Sequence, residues 1–258
     1  MLDYFSKLPD LYIFLTLMAI TTAISLISIM ISKFFILKKL RYKDNATIGS
    51  ISSLIGIIYG VLVGFMALYL VNNNDHASNA VQREANAAAN VYRESQWLQE
   101  PARMNIKMEL IHYIHHTIDT EWPLMRQGKD IDQTGNNYID HISAGLKKYP
   151  LKTQSDILIM RGLIEETKNL YDARQERIAW SAFELSPELW EVILMGTILI
   201  IGINYAFRVN FYLHLFAISA FAIMAASMLF LLITLDRPFQ GEFIIEPDAL
   251  HAVLSVMS

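Results

Sequence analysis

The chain has 258 residues, of which 53% are hydrophobic and only 18% charged, with a formal net charge of −4. Mean hydropathy is +0.31. A soluble domain carries about a quarter charged residues, so this composition argues against an ordinary water-soluble fold. The absence of cysteine excludes disulfides and thiol chemistry, and the acidic balance argues against a nucleic-acid partner.

The charges are unevenly spread: residues 11–32, 45–74, 192–207 and 209–235 contain none. A bilayer core of about 30 Å needs roughly 20 apolar residues as helix. The reading is an all-α membrane protein with four transmembrane helices and a long helical extramembrane domain inserted between the second and third. Its segments are a membrane hairpin over 1–72 (helices about 11–37 and 48–72), an extramembrane domain over 73–187, a second hairpin over 188–235, and a tail over 236–258. The first apolar run follows a net acidic start, "MLDYFSKLPD", and is too long for a cleaved leader.

Between the first two runs lies "KKLRYKDNA", with Lys38, Lys39, Arg41 and Lys43, while Lys7 alone marks the N-terminal ten residues and Arg208 the turn between the last two. Basic short loops face the cytoplasm. Residues 73–187 and both termini are therefore expected outside the cytoplasm, in a multi-pass protein of a bacterial inner (plasma) membrane.

The second run holds "GIIYGVLVG". Ser52, Gly56, Gly60 and Gly64 recur every four residues, with Tyr59 and Val63 beside them. Glycine costs roughly 1 kcal/mol against alanine in a soluble helix, so a stripe of three needs a reason. In lipid, small residues four apart let helices approach closely. The stripe fits a helix contact within one subunit, or self-association around an axis with the stripe packing neighbouring copies or facing a narrow pore. From Phe65 to Glu100 there is no Gly or Pro, so this helix is expected to run straight on, about 75 Å from Gly49 to Leu98 at 1.5 Å per residue. Its extension carries Asn72, Asp75, Ala80, Glu84, Ala87 and Ala88, which favours the second alternative. Asn72, Asp75 and Glu84 are the candidate mouth or vestibule residues, since a ring of carboxylates is a selectivity element.

Pro101 opens a further helix, "ARMNIKMELIHYIHHTIDTEWPLM". A polar loop, a short helix around 138–148, and a long helix from after Pro150 to about Phe183 follow. Glu109, His112, His115 and His116 include one Glu-x-x-His pair; a di-iron carboxylate bundle needs two plus further carboxylates, so no metal site is expected. Imidazole titration near neutrality leaves pH sensing as a further role. Ser186-Pro187-Glu188 reads as a helix start with Ser as N-cap, and Trp190, Tyr205 and Tyr212 as interfacial aromatics. Beyond the fourth run, Asp236 and Arg237-Pro238-Phe239 stop the helix and Gly241 allows a tight turn, forming either an anchor or a collar at a conduction path. No P-loop, nucleophile elbow, HExxH or dinucleotide fingerprint occurs. No cofactor is expected, and the chain is not read as an enzyme.

The sequence resembles the bacterial family of membrane proteins with a bestrophin-like domain. The likeness rests on "YGVLVGFMA", "EANAAANVYR", "EPARMNIKMELIHYIHHTIDTEWPLMRQG", "YDARQERI", "LSPELW" and "LDRPFQG", and spans most of the chain. It implies kinship with bestrophins, pentameric anion channels whose second membrane helix lines the pore. Their Pro-Phe-Gly motif after the fourth helix is echoed by Asp236, Pro238, Phe239 and Gly241, with Gln240 interrupting it. The bestrophin calcium-binding acidic cluster is absent apart from Glu242. Bestrophins keep both termini and the large domain in the cytoplasm, opposite to the charge-based orientation. The preferred function is an oligomeric ion channel with the second helix around the axis. A pentamer is expected and a tetramer is the alternative, with membrane lipid and small inorganic ions as partners. The competing reading is a non-conducting envelope scaffold or sensor whose outer domain binds a partner.

Overall fold

The computed structural model describes residues 10–35, 44–207, 209–241 and 244–257. The basic residues Lys7, Lys38, Lys39, Arg41, Lys43 and Arg208, and also Glu242, lie outside them. All regular structure among the described residues is helical: α1 (Asp10–Phe35), α2 (Asn45–Ser95), α3 (Ala102–His116), a π-helical turn (Thr117–Glu121), α4 (Trp122–Arg126), α5 (Thr134–Lys147), α6 (Gln154–Ser181), α7 (Pro187–Asn204), α8 (Phe211–Leu235) and α9 (Asp248–Met257). The chain divides into two compact units, Met1–Asn72 with Glu184–Arg237, and Asn73–Phe183 with Pro238–Ser258. Helix α2 contributes to both.

In the first unit, α2, α7 and α8 are each long and apolar enough to cross a membrane, and α1 contains the apolar stretch Leu11–Ala23. Helix α8 buries His214, Ile218, Ala222, Ala226, Leu229 and Leu232, a three-to-four spacing that makes one stripe. The alanines admit close helix approach where lipid offers no hydrophobic drive. Helix α1 packs along α8, with Phe14 edge-on to Phe230 at 5.3 Å.

In the second unit, α5 buries Ile139, Ile142 and Leu146 between α3 and α6. Leu110, Tyr113 and Ile114 of α3 and Leu163 and Leu170 of α6 complete the core, each such burial worth roughly 1.5–3 kcal/mol. Helix α6 starts in a reciprocal cap: the Asp156 N–H donates to Thr153 Oγ1 at 3.1 Å and the Thr153 N–H to Asp156 Oδ2 at 2.8 Å. The run from Ala102 is not one regular helix. Pro123 lacks the N–H that would continue the ladder, and the chain widens into the π turn just before it. The turn buries Glu121, with Trp122 next to it. Helix α9, absent from the sequence reading, packs on α3.

Candidate functional site

The glycine stripe divides into two faces. Val63 is buried and Tyr59 half-buried, its hydroxyl 2.6 Å from Thr197 Oγ1 of α7. The Tyr59 ring lies so tightly over Gly196 that a side chain there has no room. Gly60 and Gly64 are exposed, and Ser52 and Gly56 half-buried. A methyl placed at Gly56, Gly60 or Gly64 would meet nothing within 4 Å among the described residues. No described neighbour thus packs closely enough on these three positions to require glycine. Gly56 and Gly60 border an apolar cavity of about 310 Å³ that Ser52, Tyr59, Thr197 and Phe221 also line.

Beyond the stripe, Asn72 and Asp75 are exposed, followed at helical spacing by exposed Asn79, Gln82, Arg83 and Asn86. Glu84 departs from the expectation. It is fully buried, as are Ala80 and Ala88, so the alanine-rich face packs the core of the second unit and Glu84 cannot line a vestibule. The cause is Arg177 of α6. Its Nε donates to Glu84 Oε2 at 2.5 Å and its Nη2 to Glu84 Oε1 at 3.1 Å, while the Tyr113 hydroxyl donates to the same carboxylate.

The network extends further. Arg177 Nη2 donates to Glu121 Oε2 at 2.6 Å, and Arg174 Nη2 to Glu121 Oε1 at 2.7 Å. All four charged side chains are fully buried. Burial alone pushes the Glu121 carboxyl up, but Arg177 and Arg174 outweigh it and leave Glu121 below the ordinary carboxylate range. Burial, with Glu84 beside it, holds the Tyr113 phenol well above its usual value. Burial opposes charge on Arg177, yet Glu84 and Glu121 leave it more firmly protonated than a free guanidinium. Gly135 at the start of α5 closes over this cluster: a Cβ there would fall 2.5 Å from Glu121 Oε1 and 2.6 Å from Arg174 Nε.

Pro238 and Phe239 are buried in the second unit. Phe239 meets Trp122 edge-on at 5.9 Å, and the Arg177 guanidinium stands 5.3 Å over the Trp122 ring. The turn after them uses Gly241 at φ +97°, a left-handed conformation that L side chains rarely adopt, and the Ile245 N–H returns to the Pro238 carbonyl at 3.0 Å.

In the first unit Asp236 is buried and accepts the Leu185 N–H at 2.6 Å and Trp190 Nε1–H at 3.2 Å. Burial raises its carboxyl above the ordinary range, and those two donors only partly offset this. Trp190 is therefore a buried clasp partner and not an interfacial aromatic. Ser186 occupies the N-cap position but makes no side-chain cap bond; its carbonyl accepts from Leu189 and Trp190. Glu109 lies 3.4 Å from His141. Among the described residues no three His, Asp or Glu side chains converge on a metal-sized site.

Membrane-length apolar helices together with a separate helical unit built on buried ion pairs define an all-helical membrane protein. A model of the bestrophin-like domain matches residues 19–250, and the chain belongs to the bestrophin-like domain family. The fold is similar to crystal structures of a bacterial bestrophin homologue from Klebsiella pneumoniae. One, with a leucine-to-threonine mutation, gives a TM-score of 0.71 at 12% identity over 95% of this chain and 96% of that one. Another, with a tyrosine-to-alanine mutation, gives 0.69 at 13% over 94% and 95%. The crystal structure of a protein described only as a membrane protein gives 0.70 at 13% over 95% of each chain. No curated protein matches the chain.

The reading from sequence missed Glu121, Arg174 and Arg177 as site residues, although "TEWPLM" and "YDARQERI" lie in the segments that carry the resemblance. The available signal was a pair of arginines three apart on one helix face, with buried carboxylates elsewhere to match them.

Proposed function

We propose that the chain is a subunit of an oligomeric ion channel in the bacterial inner membrane, with α2 around the central axis. The observation that carries this is the open glycine stripe. A methyl at any of three glycines on this membrane helix would meet nothing within 4 Å among the described residues, and the space so left suits neighbouring copies or a conduction path. The exposed polar face from Asn72 and Asp75 through Asn86 continues that path beyond the apolar span, and membership of the bestrophin-like family supports the channel class. The subunit has four membrane-spanning helices, α1 included, and a pentamer is the expected assembly.

The short-loop charges support a cytoplasmic 36–43 loop and an extracytoplasmic 73–187 domain with both termini. The cysteine-free chain allows a direct check: Lys39→Cys and Asp132→Cys should label from opposite sides, the second from outside. Labelling of Asp132→Cys only after permeabilisation reverses the orientation.

The functional test is Gly60→Leu in purified protein. A Cβ at this position meets no described atom within 4 Å, so the subunit should still fold, while assembly or single-channel current is lost. Unchanged assembly and current remove α2 from the axis. A folded, assembled protein that passes no current, and whose outer domain crosslinks to a partner, favours the scaffold or sensor reading.

A further inference from the structure

His116 is the last residue of α3, immediately before the π turn that buries Glu121. Its side chain is 13% exposed, and its Nε2 stands 3.7 Å from Glu121 Oε1 and 3.8 Å from Asp132 Oδ1. Nε2 is buried and has no hydrogen-bond partner among the described residues. A buried ring nitrogen left without a partner costs free energy, so its place between two carboxylates calls for an explanation.

The charges around it supply one. Beside the ring stand Glu121 from the π turn and Asp132 from the segment before α5, and Arg177 joins Glu121 to Glu84 of α2. Against these three carboxylates α6 sets Arg174 and Arg177, so the cluster is one positive charge short. Arg174 already holds Glu121 Oε1, the Asp132 carbonyl at 3.2 Å and Asn136 Oδ1 at 2.7 Å. From α5, Tyr138 packs its ring 5.7 Å from the imidazole and 6.2 Å from His112 of α3. Asp132 is 62% exposed at its side chain, which opens the site to protons from water.

We propose that His116 is a proton-operated latch: its protonation supplies the missing charge and pins the segment carrying Asp132 to the turn carrying Glu121. That segment is poised to respond, because Asp132 Oδ1 also accepts the Thr134 N–H at 2.9 Å at the start of α5. Imidazole is the side chain whose charge changes between pH 5 and 8. The latch is closed while the ring is protonated and open while it is neutral.

The test uses the full-length protein in detergent. Wild type should gain roughly 2–6 °C more in thermal midpoint than His116→Gln between pH 8 and pH 6. His115→Gln, which removes an exposed ring 3.3 Å from Asp119, should behave as wild type. Equal gains in wild type and His116→Gln overturn the latch. Should that variant misfold, hydrogen exchange in wild type decides: corrected for intrinsic rates, amides 129–136 should exchange several-fold more slowly at pH 6 than at pH 8. Unchanged protection there overturns the proposal as well.

Discussion

Replacing Arg177 with Met keeps much of the side-chain volume and removes the guanidinium. Three hydrogen bonds to carboxylates go with it, at 2.5, 3.1 and 2.6 Å to Glu84 and Glu121, and a weaker one to Met125 Sδ at 3.4 Å. Glu121 retains Arg174. Among the described residues Glu84 keeps only the Tyr113 hydroxyl, and the site is fully buried, so no water replaces what is lost. Removing one partner of a buried pair costs about 3–5 kcal/mol, because it strands a charge. That corresponds to a fall of roughly 6–9 °C in the thermal midpoint for a protein of this size. The assay is thermal unfolding in detergent followed by tryptophan fluorescence, since Trp122 lies beneath Arg177. Combining Arg177→Met with Glu84→Gln should recover part of the loss, because the stranded charge is gone. A shift below about 2 °C in Arg177→Met, or fully additive losses in the pair, would refute the view that this ion pair anchors α2 to α6.

Other outcomes follow from the same geometry. Gly135→Ala forces a methyl against Glu121 and Arg174 and should cost about 1–3 kcal/mol as overpacking, read as a lower thermal midpoint. Glu121 has a folded-state pKa below its unfolded value. Its stabilisation is therefore present above the unfolded carboxylate range and lost as pH falls through the folded value. Acid unfolding of wild type should steepen below about pH 4.3, and Glu121→Gln should start from lower stability and show a shallower acid limb. Asp236→Ala leaves the Leu185 N–H and the Trp190 indole N–H buried without an acceptor, at about 1–3 kcal/mol each. Faster proteolysis at the start of α7 would report it.

The membrane character and family were legible because they rest on local signals: uncharged runs of bilayer length, and short motifs that survive intact. Glu84 shows where such signals stop. Its place on a small-residue helix face suggested a water-filled lining, but its fate is decided by Arg177, 93 residues away in sequence, and no helical periodicity reports a partner at that distance. Trp190 was misplaced for the same reason, since its acceptor Asp236 lies beyond the end of α8. The π turn was hidden because the run from Ala102 looks uniformly helical until Pro123. Helix α9 escaped because its few apolar residues need α3 to pack against. In the glycine stripe, spacing marked an approach face; only the geometry revealed that no described residue of the same chain packs against an added Cβ there.

The central claim is conduction through an assembly organised around α2. Current across a planar bilayer holding the purified, intact oligomer, in asymmetric KCl, tests it most directly. The account predicts discrete openings with a reversal potential displaced from zero, absent from Gly60→Leu. An intact wild-type oligomer that passes no current across the tested voltages and pH values would contradict it.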